Sequence, residues 1–488
     1  MGRLARYIDA AIAEIAPTAA RNRALSRMQL ETIQNYRPAT DAGLRTRVRD
    51  KGAGNVIAGR DGLTMRNWAR HLERNNPLAR ATTRYLALHA MGCKIAPMAR
   101  KRDGTPADDF NERLAELWVE QADQLDHLGA CSWPELCQLI GVSWARDGEV
   151  YPHLLIGEGS GRADFPLSIN ALEADFLPHS LSDRPDLIHG VELDGAGRVA
   201  RYHFYRQHPG DALRQRFALE TRPVEAREVL ALRHTTRLGQ LRGVTMLDSS
   251  IETTADLDEY LVAERVAAKF AACVGVQIVR SSDAQPTDTN TDGDRTIDFE
   301  PGMTLTDLLP GERAEMMSLS RPTQQFPSYL KALSRHIAAG AGANYSAISN
   351  DYDGTYSSQR QMLVTGRIYE THLHLQAVAR FYRPFWAGFV RAANMAGKLP
   401  NLRGVDPLTV AKADFIQPAV PWIDPMKESA ADRMQIEDGV ESRHGVIRRR
   451  GGDPRRVDRE RDNDETNGAE RSDPGEQGRG SDQAGRQQ

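Results

Sequence analysis

A helix, a break and a second helix between Phe326 and Tyr382 restrict the folds open to this chain more than any other stretch. FPSYLKALSRHIAAG has helical composition, GAGANYSAISNDYDGTY interrupts it, and SSQRQMLVTGRIYETHLHLQAVARFY resumes it. In the second half Val364, Ile368, Thr371, Leu375, Val378 and Tyr382 recur at steps of four, three, four, three and four, the spacing of one buried helix face. Ser358 and Gln361 fit the S-x-x-Q capping box that satisfies the orphan amides of a helix start. The polar connection of about fifteen residues is longer than a compact domain carries without a purpose, so it reads as a functional loop.

Upstream, MGRLARYIDAAIAEIAP places Leu4, Ile8, Ala11, Ile12 and Ile15 on one face of an amphipathic helix. Asp9 and Glu14 interrupt the apolar run that a signal peptide needs. Residues 17–60 lack periodicity and read as an extended arm. Helical patterning starts at Thr64; Asn76 ends one helix and Pro77 pre-sets the first turn of the next. Leu114, Leu117 and Trp118 anchor another helix, and Trp133, Leu136, Leu139, Ile140 and Trp144 one more. Residues 151–235 are mostly β, with Asp194–Gly197 as a hairpin loop between IHGVEL and RVARYHFYR. From Asp248 a run free of Gly and Pro predicts a long helix through Phe270, begun by a Ser249/Glu252 capping box and ending on Val262, Val266 and Phe270. VGVQIVR reads as a strand and precedes an acidic insertion at 283–300. Beyond Trp422 there is no Phe, Tyr or Trp, and from Arg448 to Gln488 the composition cannot offset the entropy of folding, which predicts a disordered tail.

The chemistry-bearing motifs are weak. Asp288, Asn290, Asp292, Gly293 and Asp294 match the first key positions of a calcium loop, but Phe299 stands where the closing Glu is required and Arg295 where an apolar residue belongs. An acidic surface loop fits better. His372 and His374 are two apart on a helix and point in different directions. Asp147 and Glu149 could be imagined as a carboxylate dyad, yet a helix-to-strand turn with solvated acids is the simpler reading. No nucleophile elbow, phosphate loop, HExxH or dinucleotide fingerprint occurs. The four cysteines, Cys93, Cys131, Cys137 and Cys273, have no ligand spacing and read as reduced thiols. Arg201, Tyr202, His203, Tyr205 and Arg206 alternate across a strand. Arg448, Arg449, Arg450, Arg455 and Arg456 are diluted by Asp453, Asp458, Glu460 and Asp462, so neither set reads bases. A net charge of −3 excludes a generally basic protein that coats DNA, though not one that surrounds DNA without gripping it. The longest strongly apolar run, Phe270–Val279, is ten residues and cannot span a bilayer.

In order along the chain stand ARHLERNNPLARATTRYLALHAMG, SWARDGEVY, NALEADFLP, HGVELDGAGRVARYHFY, RHTTRLGQLRGVTMLDSSIE, FEPGMTLTDLLPGE, the 321–360 stretch, and WIDPMKESAADRMQIEDGVESRHGVIRRRGGDP. Together, over roughly residues 30–455, these resemble the lambda-like portal proteins of tailed bacteriophages. AGAGANY departs from the G-x-x-Y turn expected there. The resemblance implies an α+β portal-type fold with an α/β wing, helical stem, small clip, long helix with tunnel loop, and helical crown-side region. It maps 1–60 to an N-terminal helix and arm, 61–247 to wing, 248–316 to stem helix and clip, 317–427 to tunnel loop, long helix and crown side, and 428–488 to a polar, largely disordered tail. Asn344, Tyr345, Ser346, Asn350, Asp351, Tyr352, Asp353 and Tyr356 would form the tunnel loop.

The implied protein is a ring, usually a dodecamer, at one capsid vertex, through which double-stranded DNA passes without sequence-specific contact. Implied partners are copies of itself, the terminase large subunit, the major capsid or scaffold protein and a head-tail connector or adaptor, with assembly in the host cytoplasm. No catalytic residue, metal, cofactor or membrane is implied. A slightly acidic chain suits a low-friction channel, because each phosphate contact would add a salt-dependent hold. Two alternatives stay open: another neck or adaptor ring, which is generally shorter, and a metal-dependent hydrolase relying on Asp292 or Asp294.

Overall fold

The computed structural model describes residues 52–211, 220–273, 277–280, 312–315, 325–419 and 424–471. The amphipathic N-terminal helix, most of the arm and the acidic 283–300 insertion lie outside the described residues. Helix α1 (Gly54–Asn75) begins earlier than Thr64, so the last part of the expected arm is helical. It stops at Asn76, whose side chain accepts from the Ala79 amide at 2.9 Å and caps α2 (Pro77–Met91), with Pro77 in the first turn where its missing N–H costs nothing. Strand β1 (Lys94–Pro97) follows, then α3 (Asp108–Ala122) and α4 (Trp133–Asp147). Ser132 and Glu135 complete a capping box at the start of α4. Where α2 crosses α4, a Cβ on Gly141 would come within 2.8 Å of Met91 Cγ and 3.0 Å of Ala87 Cβ, so glycine sets the closeness of that crossing.

The β region forms two small antiparallel sheets. β2 (Glu149–Ile156) lies between β3 (Leu167–Glu173) and the short β8 (Leu232–Arg233). A second sheet runs β4 (Leu187–Ile188), β5 (Val191–Leu193), β6 (Val199–Tyr205), β7 (Thr221–Glu225). The expected hairpin joins β5 to β6: Asp194 Oδ1 accepts from the amides of Ala196 and Arg198, both at 2.9 Å. Alternate residues Tyr202, Phe204 and Val224 face Tyr151, Val191 and Leu241 in one apolar cluster.

α5 (Ile251–Cys273) is the predicted long helix. Just before it, the Ser249 hydroxyl donates to the Gly340 carbonyl at 3.0 Å, fixing the start of α5 to α6 (Phe326–Ala341). β9 (Gln277–Arg280) pairs antiparallel with β10 (Glu312–Glu315). After α6 come a one-turn helix α7 (Tyr345–Ser349) and α8 (Tyr356–Ala377). The helical path does not break between α8 and Pro384. Residues Val378–Tyr382 form a π turn in which the Arg383 N–H reaches back to Val378 O, and the helix continues as α9 (Arg383–Met395). The wider turn accommodates a proline that lacks an amide and crowds the preceding turn.

The largest core lies where the end of this helix enters the N-terminal region. Phe381, Phe385, Trp386 and Phe389 pack against Trp133 and Phe165, with Trp118 half-buried beside them. The Trp133 and Phe385 rings stack at 4.7 Å, and Trp386 and Phe389 at 5.1 Å. β11 (Ala413–Ile416) pairs with β1, Lys94 opposite Ile416. Residues 378–416 therefore share the core of the 61–247 region, where their aromatic and strand partners stand far upstream.

The described part of the tail, to residue 471, is helical. α10 (Pro425–Glu437), α11 (Arg443–Arg449) and α12 (Pro454–Arg471) follow one another. Asp424 and Ser442 cap the first two, accepting from Lys427 and Gly445 amides. Ion pairs do the rest: Asp432 receives both Arg449 and Arg450, Arg443 meets Asp458, and Arg459 reaches Glu112 on α3. In the described tail, charges that look solvated in one dimension are paired in three, and the rest of the expected disordered tail, 472–488, lies outside the described residues.

Candidate functional site

α6 ends at Gly342, whose φ of +70° carries the chain into the left-handed region and whose N–H closes the helix on Ala338 and Ala339 carbonyls. A Cβ there would lie 2.6 Å from the Tyr369 ring. The connection that follows is not an open loop. Asn344 caps α7 by accepting from the Ser346 amide at 3.1 Å, and Asn344, Ser346 and Ile348 are buried against α2, α6 and α8. Asn350 takes φ +54°, a conformation that Asn tolerates, and turns the chain outward.

Tyr345 donates its hydroxyl to Asp351 Oδ2 at 2.6 Å, while Lys331 Nζ lies 3.1 Å from Asp351 and 3.0 Å from Asp353. The Tyr345 hydroxyl, the Asp353 amide and Lys331 together hold the Asp351 carboxyl down at about 2. Arg335 sits 5.3 Å over the Tyr345 ring. Of the eight residues expected in a tunnel loop, then, Asn344 and Ser346 are structural. Tyr352, Asp353 and Tyr356 project, with Gly354 and Thr355 exposed between them.

Two readings of α8 change. Its cap is Thr355, which accepts from the Ser358 amide at 3.3 Å; Gln361 turns forward to Thr365 and closes no capping box at Ser358. The expected buried face is largely exposed: Val364, Ile368 and Leu375 are 54%, 73% and 58% accessible. Glu370, Leu373, His374 and Ala377 are buried instead, and His374 Nδ1 donates to Ala90 O on α2 at 3.3 Å. His372, as expected, points elsewhere and bonds Gln376. The apolar 3-4 spacing thus marks a face that the described residues of this chain leave uncovered.

The Asp147/Glu149 turn is the other place where acids gather. Both are buried, which overturns their reading as solvated. Asp147 receives the full forks of Arg70 and Arg146 at 2.8–2.9 Å. Glu149 receives Arg66 at 2.8 Å, Arg242 at 2.5–3.1 Å, the Tyr151 hydroxyl at 2.9 Å and the Gly243 amide at 2.6 Å. Burial pushes the Glu149 carboxyl up, but Arg242 and Arg66 outweigh it and bring it to about 2. Asp147 is lowered in the same way by Arg146 and Arg70. Carboxylates locked ionised at neutral pH are poor proton donors or acceptors. Gly148 makes the arrangement possible. Its φ is +81°, and a Cβ would overlap the Val244 backbone, so the RLGQLRGVTM segment lies against the turn and delivers Arg242.

Among the described residues, Glu173, Asp175 and His208 stand close enough to hold a metal ion. The Arg70 guanidinium already occupies that charge position, 2.5 Å from Asp175 Oδ2 and 3.7 Å from Glu173. The calcium-like Asp288–Glu300 motif lies outside the described residues. On β6, Tyr202 is buried and Arg201 is paired with Glu192 and Glu225. The basic run of the tail is likewise paired: Arg448 with Asp414, Arg455 with Asp108 and Arg456 with Glu460.

Residues 42–370 match the family model described as phage portal protein, lambda family. A probable portal protein of Halomonas phage phiHAP-1 is 27% identical over 418 residues, covering 81% of this chain and 78% of the relative. Among solved structures, a chain of the neck of the native GTA particle, computed with C12 symmetry, superposes with a TM-score of 0.45 at 11% identity, over 77% of this chain and 89% of that one. A chain of the virion of the native gene transfer agent particle gives 0.43 at 11% identity, over 81% and 98%. The family match extends from the arm through α8 and takes in both the Asp147/Glu149 turn and the α6–α8 connection, so this chain belongs to the lambda family of phage portal proteins.

Proposed function

We propose that copies of this chain close into a ring, a dodecamer, at one vertex of a phage head, and that double-stranded DNA is packaged and ejected through its centre. The observation that carries the proposal is the family match over residues 42–370. The uncovered α8 face supports it physically. Val364, Ile368 and Leu375 form an apolar stripe on one helix side, edged by Gln361, Thr365 and His372 on one margin and by Arg360 and Arg367 on the other, and such a stripe suits burial against a neighbouring subunit. The projecting Tyr352–Tyr356 segment is the part of the connection that we assign to the channel, with Asn344, Tyr345, Ser346, Asn350 and Asp351 as its rigid root.

In this reading the ring performs no catalysis. The terminase large subunit supplies hydrolysis, the major capsid or scaffold protein seats the ring, and a connector or adaptor docks after packaging. Assembly takes place in the host cytoplasm, and the mature location is the virion. No helix among the described residues is long and apolar enough to cross a membrane. Electron microscopy of the purified protein tests the proposal: rings with a central hole are expected, and a uniformly monomeric species across salt and concentration would overturn it.

A further inference from the structure

Beneath the α7 connection, α2 and α8 share a polar cluster among apolar neighbours. Glu370 of α8 is only 5% exposed. The Tyr85 hydroxyl donates to its Oε1, while His89 Nδ1 lies 3.2 Å and the Arg367 guanidinium 3.6 Å from its Oε2. Tyr85 and His89 are one turn apart on α2 with rings 4.4 Å apart, so they approach Glu370 as a pair. A buried carboxylate is stable only while its oxygens are met by donors or cations, and here α2 supplies two of the three groups that meet it. Burial raises the Glu370 carboxyl, but the His89 and Tyr85 bonds outweigh it and the group stays ionised at neutral pH.

The same tyrosine oxygen reaches the root of the connection. The Asn344 main chain lies against it. At Gly366 of α8, a Cβ would stand 3.6 Å from the Tyr85 oxygen, 3.8 Å from Asn344 Cβ and 3.5 Å from Glu370 Oε1. Three elements therefore converge on one hydroxyl: α2, α8 and the cap of α7. Lys331 and Tyr345 fix the far side of the connection through Asp351, but they belong to the α6–α7 side and give it no tie to α2.

We propose that Tyr85 is a positioning residue for the 344–356 connection, its hydroxyl held by Glu370 of α8 against the Asn344 root. Its consequence for DNA passage rests on the channel reading given above; the positional claim itself does not. The test compares Tyr85→Phe, Glu370→Gln and Glu370→Ala in the full-length protein, reading amide hydrogen exchange peptide by peptide, ring formation, and DNA packaging. Tyr85→Phe removes one bond to a charged group, and exchange in 344–356 is expected to accelerate about tenfold, with rings intact and packaging reduced. Glu370→Gln, which keeps an acceptor for Tyr85, should protect the connection better than Glu370→Ala.

Unchanged exchange of 344–356 in Tyr85→Phe overturns the proposal. So does equal acceleration in α4, because the tyrosine would then merely stabilise the fold. Loosening confined to 344–356 with normal packaging supports the positioning role and overturns the channel assignment instead.

Discussion

Replacing Arg242 with Met should destabilise the protomer by about 3–5 kcal/mol, because it leaves Glu149 buried with only Arg66 as a cation. The magnitude can be worked a second way. The Glu149 carboxyl falls from 4.5 to about 2 in the folded chain, and at about 1.4 kcal/mol per pH unit this is roughly 3 kcal/mol at neutral pH. A folded pKa below the unfolded one means that this stability is present above about pH 4.5 and is lost as pH falls toward 2. His179, buried beside Arg242 and Arg66, is held neutral, so the unfolded chain binds its extra proton from about pH 6.5 downward and adds an earlier, shallower loss. Urea unfolding followed by tryptophan fluorescence, repeated from pH 7 to pH 2, measures both. Arg242→Met should lower stability at pH 7 and flatten the dependence between pH 4 and 2. A variant within 1 kcal/mol of the parent, or one with an unchanged acid slope, would show that the Glu149 cluster is not the charge reservoir described here.

Three further outcomes are expected. Serine at Val364, Ile368 and Leu375 together should abolish rings on electron microscopy while leaving the urea midpoint of the protomer nearly unchanged, since these side chains are exposed in the single chain; intact rings would refute the assignment of that face. Removing Tyr352–Gly354 should impair DNA packaging with rings preserved, and normal packaging would refute the channel role of the projecting segment. Finally, α12 has few apolar side chains among its described residues, Pro454 and Val457, and is tied to α3 through Arg459 to Glu112 and Arg455 to Asp108. Raising salt from about 0.1 M to 1 M shortens the screening length from roughly 10 Å to 3 Å, so limited proteolysis should cut within 454–464 far faster at high salt while α4 stays protected; equal cleavage rates would refute a purely ionic attachment.

Local signals carried much of this fold. The Asn76–Pro77 break, the Asp194–Gly197 hairpin and the helix–break–helix at 326–382 each depend on a few adjacent residues, and each formed where the local chemistry placed it. The errors share a cause. Asp147 and Glu149 look solvated because, Arg146 apart, their neutralising arginines, Arg70, Arg66 and Arg242, lie 77, 83 and 93 residues away. β1 finds its partner in β11 across most of the chain, so no local pattern assigns 413–416 to the N-terminal core. Periodicity correctly identified an apolar face on α8 but could not say whether its own chain or another covers it. In the tail, composition counts charges without pairing them.

The π turn at Val378–Tyr382 gives the long helix one residue more than an α-helix needs. On its far side α9 is anchored by Phe385, Trp386 and Phe389, whereas on its near side α8 carries the projecting segment and the uncovered face. Without that surplus residue, everything before it would be re-phased by about 100° and shifted by about 1.5 Å. A single wide turn therefore sets which side of α8 faces outward, while Leu373 and Ala377 ahead of it stay in the same core as α9.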